Sequence, residues 1–292
     1  MSIFFRNFAV KIYSHKKMTK AKKILFINQE LLPYVPESAM ATAGRKLPQA
    51  IQDGGREIRT FMPKWGNINE RRNQLHEVIR LSGLNIVIDD TDHPLIIKVA
   101  SIQDARMQVY FIDNDDYFHK RLMMTDEDGK EYEDNAERAI FYARGVLETL
   151  KKLRWSPDVI VCQGWMSAVV PLYIKTAYRD EASFINSKVV FSAYNEMPKD
   201  APVPNLKECL AFRNAKMEII EGTGIDFSKP ESIGQLAIKF ADGYIQGEEG
   251  AQPELTEYAK QCGIPTFDFP GLDNISEKYG EIFDQVFSTD PE

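Results

Sequence analysis

Residues 22–34 read KKILFINQELLPY, and this stretch decides the fold. Four apolar residues, Ile24–Ile27, follow a lysine pair and end at the polar Asn28, which is typical of a strand buried on both faces. Such a strand belongs at the centre of a parallel sheet. The loop after it, from Pro33 to Ala41, should then lie at the carboxyl end of the sheet, where open α/β folds bind their ligands.

Strands and helices alternate along the rest of the chain, which predicts an α/β fold with a mostly parallel sheet. A helix is predicted from about Met40 to Gln52, and a strand follows it at Glu57–Met62. Residues 75–112 change to short β-branched runs separated by turn residues. This change predicts a small antiparallel excursion whose last strand returns to the main sheet.

The second half of the chain repeats the pattern. A long helix should begin after Asp134 or Asn135 as the N-cap and end near Leu153. The later predicted elements are strands at Pro157–Cys162, Lys188–Asn195, Ala241–Ile245 and Pro265–Phe269, and helices at Leu206–Ala215, Ile233–Phe240, Pro253–Cys262 and Asn274–Phe287.

Composition excludes several classes of protein. The 292 residues are 43% hydrophobic and 27% charged, which is ordinary for a soluble globular protein, and no apolar run is long enough to span a membrane. A net charge of -7 argues against nucleic acid as a partner. Three distant cysteines and four histidines without ligand spacing predict no metal site and reduced thiols, and hence a cytoplasmic location.

Residues 1–23 carry seven Lys/Arg side chains and no acidic ones. A transit peptide has this composition, and a translation start placed too early, with Met18 as the true start, explains it equally well. We expect residues 1–20 to lie outside the fold in either case, and residues 21–292 to form one domain.

Five short segments carry a resemblance to a known family: ELLPY at 30–34, KLPQAI at 46–51, FMPKWG at 61–66, FIDNDDYF at 111–118 and YEDNAER at 132–138. Together they resemble bacterial glycogen synthases and plant starch synthases, which are retaining family 5 glycosyltransferases. The resemblance implies a Rossmann-like sheet with helices on both faces, as in the N-terminal half of a GT-B enzyme. It also implies ADP-glucose as the donor, an α-1,4-glucan as the acceptor and no cofactor.

The chain departs from the family pattern where the family places its charged groups. Pro36–Ala39 stands where the family has K-T-G-G, and Gln163–Met166 stands where it has H-D-W-H. A later family histidine corresponds to Tyr194, although Asn195 is kept. Where the family continues into a nucleotide-sugar domain, this chain reads Gln246–Gly250, and we expect no second domain of that kind.

The candidate cleft residues on the acceptor side therefore come from this resemblance: Glu30, Pro36, Glu37, Ser38, Ala39, Trp65, Gln163, Trp165, Tyr194 and Asn195. Glu30 and Asn195 end strands and are candidates to meet at the cleft floor, or else simply cap loops. Trp65 and Trp165 either stack on sugars or fill the core. None of the ten is predicted to be catalytic.

Three functions remain open from the sequence. The first is a glycosyltransferase component of glycogen metabolism, with α-glucan as a ligand and a separate chain supplying the nucleotide-sugar half. The second is a non-catalytic glucan-binding or regulatory protein derived from that family, which the altered motifs favour because they lack a general acid or base. The third is that a protein with the same fold binds another small-molecule ligand.

Overall fold

The structure is a computed structural model that describes residues 20–202 and 204–289. Apart from Lys20, the predicted basic leader lies outside the described residues. The strands are β1 Lys23–Asn28, β2 Glu57–Pro63, β3 His76–Glu77, β4 Leu84–Ile88, β5 Thr91–Ile102, β6 Met107–Asp113, β7 Val159–Gln163, β8 Lys188–Ala193, β9 Gly243–Gln246 and β10 Thr266–Phe267. The helices are α1 Ala39–Asp53, α2 Asn135–Leu153, α3 Val170–Lys175, α4 Leu206–Leu210, α5 Met217–Glu221, α6 Ser232–Phe240, α7 Pro253–Gln261 and α8 Ile275–Phe287.

The described strands form one sheet in the order β10-β9-β8-β7-β1-β2-β6-β5-β3, with β4 paired to β5. As predicted, β1 is central, and it pairs in parallel with β2 on one side and β7 on the other. Its residues alternate between two buried clusters: Ile24 and Phe26 pack with α1 and α8, while Leu25 and Ile27 pack with α2. The Rossmann-like sheet with helices on both faces is therefore confirmed.

The antiparallel excursion is also confirmed. The long strand β5 pairs antiparallel with β6, and β6 returns to the main sheet by pairing in parallel with β2. The hairpin turn between β5 and β6 contains a short 3-10 segment, Gln103–Ala105, and a left-handed Arg106 with φ 51°.

One local prediction needs correction, and the predicted N-cap of α2 is confirmed in position but not in its hydrogen bond. The helix predicted at Leu206–Ala215 ends at Leu210, because Ala211 is extended and Arg213 is left-handed; a second helix, α5, follows. Asp134 occupies the N-cap position of α2 but makes no capping bond. Its carboxylate instead accepts two hydrogen bonds from the Arg121 guanidinium, at 2.6 and 2.5 Å.

The last described helix is fixed to the first described strand by one buried carboxylate. Asp284 of α8 accepts hydrogen bonds from both terminal nitrogens of Arg56, at 2.7 and 2.9 Å, and from the backbone N–H of Ala21, at 2.8 Å. Arg56 also donates to the carbonyl oxygens of Ala21 and Gly280. Because Asp284 is 5% exposed, loss of its charge leaves a partly buried guanidinium without its counter-charge.

We expect Asp284→Asn to lower the free energy of unfolding by roughly 3 kcal/mol, because breaking a buried ion pair on one side costs far more than breaking an exposed one. Urea unfolding followed by circular dichroism measures the change. Asp273→Asn is the matched control, since Asp273 and its partner Lys278 are 73% and 39% exposed and solvent screens their ion pair, so its loss should cost far less stability. Equal losses in the two variants would contradict the assignment.

Candidate functional site at the carboxyl edge of the sheet

Strands β1, β7 and β8 end at the same level of the sheet. We call this part of the sheet the carboxyl edge. Asn28 of β1 is the register partner of Gln163 in β7, and Gln163 is the partner of Ser192 in β8. The chain continues directly from β1 into Gln29 and Glu30, which are also buried. Polar side chains from three neighbouring strands are thereby brought together beneath one surface.

The loop between β1 and α1 contains the predicted residues Pro36 to Ala39. Ser38 is the N-cap of α1: its Oγ accepts a hydrogen bond from the Ala41 N–H at 2.9 Å and donates to Glu30 Oε2. Pro36 and Glu37 are exposed, and Ala39 is the first residue of the helix. The chain's own carboxylate, from Glu30, therefore lies beside the N-terminus of α1, a position that favours anions.

Glu30 meets a second carboxyl group that the sequence did not indicate. Glu196, which follows β8, is hydrogen-bonded to Glu30. Burial, this hydrogen bond and the negative charges of Glu30 and Glu248 raise the pKa of Glu196 to about 8. The raised pKa favours the protonated form of Glu196 near neutral pH, and in this form its carboxyl group donates toward Glu30.

Gln163 and Tyr194 form a second polar pair in the floor of the carboxyl edge. The Gln163 side-chain nitrogen donates to the Tyr194 hydroxyl at 3.1 Å, and both residues are almost completely buried. The Tyr194 ring lies directly against Gly247, where a Cβ atom would come within 2.4 Å of the ring. Burial raises the pKa of Tyr194, so the pair is neutral and offers hydrogen bonds without charge.

Asn195 does not meet Glu30 as the sequence suggested. Its side chain is exposed, and its backbone N–H donates to Glu248 Oε1 at 2.6 Å. The residue that reaches Glu30 is its neighbour Glu196. The prediction identified the correct loop and the wrong side chain.

Trp65 is not available for sugar stacking, because it is fully buried. Its Nε1–H donates to the Gln29 carbonyl oxygen at 2.9 Å, and its ring packs edge-on against Phe118 with the centroids 5.6 Å apart. The guanidinium of Arg138 lies over the ring at 5.2 Å. Trp65 therefore supports the floor of the carboxyl edge from below.

Trp165 is also fully buried, so it fills the core rather than stacking on a sugar, and it underlies a pocket of about 370 Å³ at the carboxyl edge. The remaining lining residues come from the segment before α2, the proline-rich segment after β8 and the start of α6: Lys130, Glu131, Tyr132, Glu133, Asn135, Ala136, Pro198, Asp200, Ala201, Pro202, Pro204, Pro230 and Ile233. Glu131 joins two of these segments, because its carboxylate accepts hydrogen bonds from the backbone N–H groups of Lys199 and Asp200.

The start of α2 orders one wall of this pocket. Arg138 is fully buried and donates to the carbonyl oxygens of Tyr117, Leu122 and Met123, and to Asn135 Oδ1. A guanidinium with five donors can hold a whole loop in this way. The YEDNAER segment singled out in the sequence therefore acts on structure by fixing the loop that precedes it.

Several buried polar atoms beneath the carboxyl edge have no hydrogen-bond partner among the described residues. They are the side-chain N and O atoms of Asn28, the side-chain nitrogen of Gln29, Oε1 of Gln163 and Nε1 of Trp165. Buried groups of this kind normally have a partner, so their concentration at one place is unusual. They include both hydrogen-bond donors and acceptors.

No three His, Cys, Asp or Glu side chains in the described ranges are arranged to hold a metal ion. Likewise, none of the helices described for residues 20–202 and 204–289 is long and apolar enough to cross a bilayer. The edge is thus a mixture of neutral amides, aromatic rings and a carboxylic acid–carboxylate pair.

This parallel sheet, with its polar carboxyl edge beside a helix N-terminus, defines an α/β domain of the GT-B glycosyltransferase type. The starch synthase catalytic domain family matches residues 23–263, and the chain belongs to that family. The resemblance drawn from the five segments is confirmed.

Two of the similar proteins are bacterial glycogen synthases. The enzyme of Chlorobium luteolum (strain DSM 273 / BCRC 81028 / 2530) is 38% identical over 174 residues, which are 59% of this chain and 36% of that protein. The enzyme of Chlorobaculum parvum (strain DSM 263 / NCIMB 8327) is 36% identical over 223 residues, which are 75% of this chain and 44% of that protein. The chain thus spans less than half the length of the glycogen synthases that it matches.

Among solved structures, the catalytic domain of starch synthase IV from Arabidopsis thaliana, bound to ADP and acarbose, has a similar fold. The TM-score is 0.59 at 16% sequence identity, and the match covers 78% of this chain and 45% of that domain. At this level of identity the likeness supports the fold and nothing finer.

We expect Glu196→Gln to flatten the pH dependence of stability, because glutamine keeps a donor toward Glu30 but cannot ionise. Between pH 4.5 and about 8 the folded wild-type protein holds a proton on Glu196 that the unfolded chain loses, so its stability falls as the pH rises through this window. Thermal unfolding between these limits should show the wild type losing about 1–3 kcal/mol more than the variant. Glu37→Gln, an exposed carboxylate nearby, should behave like the wild type; identical slopes in all three proteins would refute the proton held by Glu196.

Proposed function

We propose that this chain acts in glycogen or starch metabolism as a synthase-like domain that binds α-glucan at the carboxyl edge of its sheet. The observation that carries the proposal is the pocket formed by Tyr132 and the proline-rich segment after β8, with the buried Trp165 beneath it. Its volume of about 370 Å³ lies within the range of roughly 300–1,000 Å³ typical of small-molecule sites, and its walls combine aromatic rings and prolines with amide and carboxylate groups. Apolar faces with interspersed hydrogen-bonding groups suit the alternating faces of glucose rings.

The charges around the carboxyl edge favour a neutral ligand over a nucleotide diphosphate. Glu30 occupies the side of the α1 N-terminus where a phosphate would bind, and Glu37 adds an exposed negative charge beside it. Gln163 and Tyr194 are neutral and replace family histidines. We therefore propose that glucan binding is retained and that these residues do not themselves transfer glucose.

A glycosyltransferase component is the second candidate. The glycogen synthases related to this chain extend well beyond the matched region, since that region covers only 36% of the Chlorobium luteolum enzyme. Transfer in a GT-B enzyme takes place between two domains that position donor and acceptor, and positioning is a large part of the rate. In this candidate, a separate chain supplies the nucleotide-sugar half and ADP-glucose is the donor.

We expect the purified chain to be retarded by glycogen in affinity electrophoresis and to transfer no glucose from ADP-glucose to glycogen. Retention without turnover supports the glucan-binding proposal. Turnover by the purified chain would contradict our assignment of the edge as non-catalytic, whereas turnover only after a partner chain is added would favour the second candidate. If the chain shows no retention by glycogen and no turnover, the result would point to a different small-molecule ligand.

The pocket itself can be tested by filling it. Ala201→Trp places an indole in the wall of the pocket, from an exposed position, and should weaken retention by glycogen at least about tenfold, equivalent to roughly 1.4 kcal/mol. Ala182→Trp is the control, because Ala182 is an exposed alanine in a turn that does not line the pocket. Unchanged retention in Ala201→Trp would place glucan binding elsewhere on the chain.

A further inference from the structure

A second cavity, of about 440 Å³, lies at the opposite edge of the sheet, where β2 and β6 begin. The residues that line it come from the end of α1, the start of β2 and the hairpin between β5 and β6: Gln52, Ile58, Arg59, Ser101, Ile102, Gln103, Arg106, Met107, Gln108 and Tyr110. It shares no residue with the pocket at the carboxyl edge.

The charge of this cavity is opposite in sign to the net charge of the chain. The protein has a net charge of -7, yet two arginines and no acidic residue line the cavity. Neither Arg59 nor Arg106 forms an ion pair with any carboxylate of the described residues, whose ion pairs lie elsewhere. The neighbouring acids are engaged, since Asp104 binds Arg45 at 3.0 Å and Glu57 accepts a hydrogen bond from the Trp155 indole N–H.

Arg59 is held in a fixed orientation without a counter-charge. Its guanidinium lies over the Trp155 ring at 5.2 Å, and its Nη1 donates to the Tyr110 hydroxyl at 3.0 Å. Its Nε is buried and has no partner within the described part of the chain. An oriented guanidinium that stacks on an aromatic ring loses little conformational entropy when it binds an anion.

Arg106 lies in the hairpin turn between β5 and β6 and lines the cavity from there. It adopts a left-handed conformation at φ 51°, with its backbone N–H donating to the Gln103 carbonyl oxygen, and its side chain is exposed. Ser101 and Gln108 are register partners in the same hairpin, so that a hydroxyl and an amide lie side by side on the cavity wall.

We propose that this cavity binds a phosphorylated small polyol such as a sugar phosphate. Arg59 and Arg106 would bind the phosphate group, for which guanidinium groups are suited by charge and by their planar fork of donors. The Ser101 hydroxyl and the Gln108 amide would bind the ligand's hydroxyl groups. The proposal is independent of the glucan-binding function, because the two cavities occupy opposite edges of the sheet.

Isothermal titration calorimetry of the full chain with glucose 1-phosphate tests the proposal, with inorganic phosphate and glucose as the separate halves of the probe. We expect glucose 1-phosphate to bind more tightly than phosphate, and glucose to bind undetectably. Arg106→Gln should weaken binding of glucose 1-phosphate at least about tenfold, since it removes a charge-assisted hydrogen bond to the phosphate group. Arg179→Gln, an exposed arginine after α3, is the control and should bind like the wild type.

Arg59→Gln provides a second variant, with its thermal unfolding recorded because Arg59 also packs on Trp155. Loss of binding in a variant that still unfolds cooperatively supports the site. No heat of binding up to about 10 mM glucose 1-phosphate, the weak end of ligand affinity, would overturn the proposal. Equal weakening by Arg106→Gln and Arg179→Gln would also overturn it, because it would reflect overall charge alone.

Discussion

The structure depends on the burial of β1 from every side. The strand is hydrogen-bonded to β2 and to β7, and helices cover both of its faces, so neither its backbone nor its four apolar side chains have an alternative position. A strand so constrained must deliver the residues that follow it, Asn28 to Glu30, into the middle of the carboxyl edge. The polar character of that edge is thus a consequence of the hydrophobic character of the strand.

Most of the fold was predictable from the sequence because buried strands and amphipathic helices impose their periods on the residues. The elements after Gly250 illustrate this, since helix, short strand and closing helix were predicted close to the bounds of α7, β10 and α8. Prediction failed where tertiary contacts override local preference. Phe212 packs against Tyr173 and Tyr178, and this aromatic cluster accompanies a turn where the local pattern favoured a continuous helix.

The candidate site was predictable only as a set of loops. Glu30, Gln163 and Tyr194 were identified from the family resemblance, and in the structure they lie at or just after the ends of parallel strands that are in register. The contact between Glu30 and Glu196 could not be predicted, because it depends on how the chain leaves β8 and on a proton that only burial retains. An acidic residue directly after a predicted strand was the one available signal. Trp65 was a candidate cleft residue and is instead buried. Its position after a strand end gave no sign of the Arg138 guanidinium that covers its ring.

The two cavities differ in chemistry because they lie at opposite ends of parallel strands. Helix α1 reaches from one cavity to the other. Ser38 caps it at the carboxyl edge, and Gln52, near its end, lines the cavity that contains Arg59 and Arg106. Carboxyl groups and neutral amides surround the first cavity, and two guanidinium groups line the second. The second cavity is therefore basic, although the chain carries a net charge of -7.

The carboxylate of Asp284 brings the two ends of the described chain within one hydrogen bond of each other, because it accepts from the backbone N–H of Ala21. Ala21 and Asp284 both lie on the side remote from the carboxyl edge. Neighbouring ends of this kind are the geometric requirement for circular permutation. A short linker across them would allow new termini to be opened in an exposed surface turn, such as that around Gly129, while the order of strands in space is kept.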